Sequence, residues 1–109
     1  MTPPNPPQSK IGNKVVFAPP VAISTAAPRV GRIKDEVWSA VYPDQEWGWY
    51  SYTSQLIEWE TEEHGRSIRI TYYYQPFGGD KWLFGGQYSI EDAPDVINEH
   101  LRKTLAKGW

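Results

Sequence analysis

The chain has 109 residues, 39% of them hydrophobic and 15% aromatic, no cysteine and a formal net charge of -2. That length holds one domain around one core, and the missing thiols exclude a disulfide scaffold, a cysteine nucleophile and thiolate metal sites. No apolar run reaches the roughly 18 residues of a membrane span, and the opening MTPPNPPQSK lacks the apolar segment of a secretory signal, so a cytoplasmic protein is expected.

Charge falls in blocks. Residues 1–34 carry five basic groups and no acid, residues 35–65 eight acids and no lysine or arginine, and residues 66–109 six bases and five acids. Blocks of this kind bear on partners and steering rather than on fold. The plainest expectation is a basic arm lying across an acidic sheet, in the same chain or in a second copy.

Residues 1–10 hold four prolines and almost nothing apolar, the composition of a disordered or polyproline-like tail. From Lys14 to Ser24 short apolar bursts are broken by Pro19-Pro20. A central strand does not tolerate that pattern, because proline removes a ladder donor. Lys14 to Ala18 therefore reads as an edge strand or as an arm that docks on a partner, with a plain linker as the alternative. The expected division is a proline-rich basic arm over residues 1–30 and a folded domain over residues 31–109.

In RIKDEVWSAVY, Ile33, Val37 and Val41 have a helical spacing, but the β-branched and aromatic content favours a strand over residues 32–42. Pro43-Asp44 marks a turn. Trp49 to Thr61 alternates as one long strand, or as two broken near Thr53-Ser54. A turn through Glu62-Glu63-His64-Gly65 returns it into RSIRITYYYQPF, where Ile68, Ile70, Tyr72 and Tyr74 share a face. Pro76 ends that strand. WLFGGQYS then supplies a last strand, with Gly85-Gly86 marking a bulge or a close backbone approach.

The C-terminal segment predicts a helix. Ser89 with Asp92, or Asp92 with Asp95, suits a capping box, and Ala93, Ile97, Leu101 and Leu105 form an apolar stripe thickened by Val96 and His100. Gly108 is placed to end it. The expected fold is α+β: an antiparallel sheet of three to four strands with one C-terminal helix packed on a face, preceded by the proline-rich arm.

One helix covers one sheet face, yet large rings fall on both. Such an aromatic surplus points to an interface. The contact candidates are Trp47, Trp49, Tyr52, Trp59 and Tyr73, with Glu58 and Glu60 setting polarity. The partner is another protein or a second copy, as in a homodimer. The competing expectation is that Val15, Val16, Phe17, Val21 and Ile23 of the arm fold back over the rings. Single-stranded nucleic acid stacks on sheet aromatics, but here the aromatic hairpin is the acidic part, and phosphate contacts demand cations. A small hydrolase using Glu58 and Glu60 needs a pocket that separates their pKa values. His64 with Glu62 and Glu63 reads as a solvated turn, His100 as a packed histidine. Neither a zinc-protease helix nor a phosphate loop occurs. The expectation is binding without catalysis, cofactor or metal.

Overall fold

The structure, a computed structural model, describes residues 2–17, 29–60, 65–85 and 90–109. The turn and weak ligand set at Glu62, Glu63 and His64, the cap role of Ser89, Gly86, and the arm residues Val21 and Ile23 lie outside the described residues. Six strands and one helix are described: β1 (Lys14–Phe17), β2 (Arg29–Trp38), β3 (Tyr42–Pro43), β4 (Gly48–Trp59), β5 (Arg66–Pro76), β6 (Leu83–Phe84) and α1 (Pro94–Ala106). The class is α+β. The sheet runs β1-β2-β4-β5-β6 with β3 paired to β4, so it has six strands where three to four were expected. The additional ones, β1 and β3, are short: β1 lies where an edge strand was one reading, and β6, two residues long, lies within the expected last strand. β1, β3 and β6 pair antiparallel with β2, β4 and β5 over two to four residues each.

β4 is unbroken through Thr53-Ser54, and β5 keeps one register against it: the Phe77 amide donates to the Trp47 carbonyl at 2.9 Å and the Trp59 amide to the Gly65 carbonyl at 3.0 Å. Just beyond the strand ends, the Glu60 amide donates to the Val30 carbonyl at 2.9 Å and the Ser39 amide to the Tyr52 carbonyl at 2.8 Å. Gly48 is required where β4 begins, because a Cβ there would run into the Gln75 carbonyl.

Two compact units share these strands, one of residues 10–36 and 55–69 and the other of residues 1–9, 37–54 and 70–109. In the first, Val15, Ile33, Ile57 and Trp59 form an apolar core, each side chain worth about 1.5–3 kcal/mol on burial. The Trp59 indole donates to Ser67 Oγ at 2.9 Å. The Arg29 guanidinium lies 4.6 Å from the Trp59 ring and 4.9 Å from that of Phe17. Gly31 lets the strands meet, since a Cβ would sit 2.7 Å from the Glu58 carbonyl oxygen. Gln55 is fully buried and its Oε1 accepts the fork of Arg69 at 2.7 and 3.0 Å.

The second unit is built on polar contacts. Ser51, Thr53 and Ser54 of β4 are fully buried, and buried hydroxyls require partners. Thr53 Oγ1 donates to the Val37 carbonyl at 3.1 Å, and Ser51 Oγ to that of Ser39 at 3.2 Å. Ser54 Oγ lies 2.8 Å from His100 Nε2 and 2.7 Å from Thr104 Oγ1. This corrects the expected apolar stripe: the buried residues of α1 are His100 and Thr104, while Leu105 is 79% exposed and Leu101 40%. Ser54 is small, so the helix comes close enough for hydrogen bonding, and its leucines are turned outward. The capping box between Asp92 and Asp95 is also absent. Ala93 occupies the N-cap and no side chain caps the helix. Gly108, at φ +70°, follows the last turn as expected, its amide donating to the Leu105 carbonyl at 3.2 Å.

β5 is inverted in the same sense. Thr71, Tyr73 and Gln75 are buried, whereas Ile68 and Ile70 are exposed. Gly85 confirms a close backbone approach, because a Cβ there would strike the Tyr72 ring.

Candidate functional site

Asp44 follows β3 and shapes the approach to β4. Its Oδ2 accepts the amides of Glu46 at 2.9 Å and Trp47 at 3.3 Å, which sets Trp47 against Tyr74 edge to face at 5.3 Å. Within β4, Tyr50 and Tyr52 lie two apart on one face, their rings edge to face at 5.6 Å, with Tyr72 edge to face at 6.5 Å from Tyr52. Both β4 hydroxyls donate to Asp92 Oδ2 just ahead of α1, Tyr50 at 2.8 Å and Tyr52 at 2.9 Å. The other oxygen, Oδ1, accepts the Ala93 amide at 2.7 Å.

These groups enclose a cavity of about 280 Å³ lined by Asp44, Trp47, Tyr50, Tyr52, Tyr72, Ile90, Glu91 and Asp92. Among the described residues its lining holds four aromatic and three acidic residues and no lysine or arginine. The electrostatics agree. Burial and then the hydrogen bond to Asp92 push the hydroxyls of Tyr50 and Tyr52 far above the ordinary tyrosine range, so both stay protonated donors. Nearby Tyr42 is raised by burial, then by Glu99, Asp92 and Asp95, a sign of negative potential. Among the described residues no three His, Cys, Asp or Glu side chains group as a metal ion requires.

A second constellation, Ser54 with His100, has the composition of a nucleophile and base. Thr104 Oγ1 donates to the His100 carbonyl at 3.0 Å, which commits its proton. Ser54 then donates to Thr104 and accepts from His100 Nε2–H, leaving His100 Nδ1 as a bare acceptor. The alternative tautomer would strand an N–H at Nδ1, which is buried and has no partner among the described residues, the costlier arrangement. Burial, then Lys103, lowers the His100 pKa. The imidazole is therefore neutral and donating to Ser54, the reverse of what a base must do.

Of the expected contact residues, the cavity gathers Trp47 and Tyr52 alone. Trp47 is 42% exposed. Trp49 is buried against Phe77 at 6.0 Å, Tyr73 between Trp38 and Phe84 at 5.4 Å each, and Trp59 in its core. Glu58 stands on the surface 3.6 Å from Lys34 Nζ, and Glu60 is exposed. Asp92 escaped the sequence reading because its position suited a helix cap. The pair Tyr50 and Tyr52, one face of one strand, was the available signal. No helix among the described residues is long and apolar enough to cross a membrane. No protein-family model, curated protein or solved structure matches the chain.

Proposed function

We propose that the chain is a binding protein without catalysis, which seats a cationic group of another protein, or of a second copy, in the cavity between Trp47 and Asp92. The observation that carries this reading is a lining that, among the described residues, is rich in aromatic and acidic residues and has no basic one. A cation over an aromatic face gains about 0.5–1 kcal/mol when exposed and about 2 or more when desolvated. Rings on several sides add their contributions, and the carboxylates supply the opposite charge. Tyr50 and Tyr52 hold Asp92 in place through its Oδ2, so the site is organised before a ligand arrives.

Tryptophan fluorescence tests it directly. Tetramethylammonium chloride, titrated against sodium chloride at equal ionic strength, is expected to give a saturable change that Trp47→Ala and Asp44→Asn abolish. Lysine-rich and arginine-rich peptides are expected to compete. Identical responses to both salts would sink the proposal. The nucleic-acid reading has no comparable support, since the same carboxylates repel phosphate. The hydrolase reading fares no better, with Glu58 half-exposed beside Lys34.

A further inference from the structure

The proline-rich N-terminus is seated as a ligand is seated. Residues 2–9 contain no helix or strand and group with residues 37–54 and 70–109 in one compact unit. Pro3, Pro4, Pro6 and Pro7 each fix φ and lack an amide donor, so such a stretch is extended, free of internal hydrogen bonds and rich in open carbonyl acceptors. One of these acceptors meets an indole. The Trp82 indole N–H donates to the Asn5 carbonyl at 2.9 Å, the carbonyl that immediately precedes Pro6. Two residues on, Pro7 is buried although Pro6 and Gln8 on either side are exposed. A buried proline beside a carbonyl held by an indole is the way aromatic grooves read proline-rich peptides.

We propose that the surface around Trp82 is a proline-rich-peptide site, occupied here by the chain's own residues 2–9, and that its partner is a second protein presenting a segment of the same chemistry. The recognition is local: a carbonyl before proline meets the indole donor, and a proline two residues on enters the protein surface. Because the internal segment is tethered, its effective concentration lies in the millimolar range, and an external peptide gains access as that segment is weakened or outcompeted. The proposal is independent of the cation cavity, since it uses neither Trp47 nor Asp92.

The experiment uses the full chain and a full-chain Pro6→Ala/Pro7→Ala variant, and follows the six tryptophan indole N–H resonances by NMR. The double variant is expected to shift the Trp82 indole signal toward that of a solvent-exposed indole, and the peptide TPPNPPQS added in trans is expected to reverse the shift saturably. In the same background Trp82→Phe, which keeps a ring and removes the donor together with its signal, is expected to weaken the peptide about tenfold by titration calorimetry, the effect of one hydrogen bond. An unmoved Trp82 signal in the double variant would overturn the proposal. So would a shifted signal that millimolar peptide fails to restore. Sedimentation of the unaltered chain as a dimer with exchanged N-termini would make a second copy the occupant, and the partner reading would fall.

Discussion

Replacing Asp92 with alanine removes the acceptor of two tyrosine hydroxyls and one amide, which gives the sharpest test of the anchor at the start of α1. Hydrogen bonds to a charged group contribute about 1.5–3 kcal/mol each, so loss of both hydroxyl bonds sets a ceiling of about 6 kcal/mol. Tyr50 is half-buried and reaches water once its partner is gone, which removes most of its share. Tyr52 is only 5% exposed and keeps at best a long contact to the Glu91 carbonyl at 3.5 Å. The expected cost is about 3 kcal/mol, and at roughly 4–8 °C per kcal/mol for a domain of this size the midpoint falls by about 12–24 °C. Asp92→Asn retains an acceptor oxygen and is expected to cost about 1 kcal/mol. Urea unfolding followed by circular dichroism measures both. A Tyr52→Phe/Asp92→Ala double-mutant cycle isolates the coupling. If Asp92→Ala lies within about 0.5 kcal/mol of the parent, the carboxylate is not an anchor.

The helix contacts make a contrasting pair: Leu105→Lys is expected to change stability by no more than about 0.5 kcal/mol, whereas Thr104→Val, which strands Ser54, costs about 1–3 kcal/mol in the same unfolding assay. Trp59→Ala and Tyr73→Ala are expected to cost about 3–5 kcal/mol in folding, so that any loss of association they cause tracks the unfolded fraction. Tyr50 and Tyr52 keep their protons in the folded state while unfolded tyrosines lose theirs. Stability is therefore full below pH 10 and declines as pH rises through 10, with the tyrosinate absorbance of these two residues appearing only on unfolding. His100 has the opposite slope: its lowered pKa means the unfolded chain takes up a proton first, so stability falls as pH drops below about 6.5. Equal pH profiles for the parent and His100→Gln between pH 5 and 7.5 would contradict that assignment.

The long elements were legible because their signals were long. Alternation from Trp49 to Thr61 and through RSIRITYYYQPF predicted a hairpin, whose strands form at Gly48–Trp59 and Arg66–Pro76, and Pro76 and Gly108 stopped their elements as proline and glycine do. What escaped was the direction of burial. Ile97, Leu101 and Leu105 are apolar and helically spaced, and hydrophobic periodicity has no means of seeing that Ser54 lies opposite His100 and Thr104. Likewise Trp49, Trp59 and Tyr73 resemble contact residues by type. Only the sheet's own coverage, including β1 and Trp38, reveals them as core. The cavity was half legible, Trp47 and Tyr52 by their aromatic character, while Asp92 is joined to Tyr52 across 40 residues of chain.

A helix moored by hydroxyls and an imidazole also differs in its thermal response. The heat capacity of detachment scales with the apolar area exposed. The buried residues of α1 are His100 and Thr104 and Leu105 is 79% exposed, while Val96 and Ile97 are half-buried. Undocking of α1 thus carries a smaller heat-capacity change than a wholly apolar seam would, and its free energy curves less with temperature.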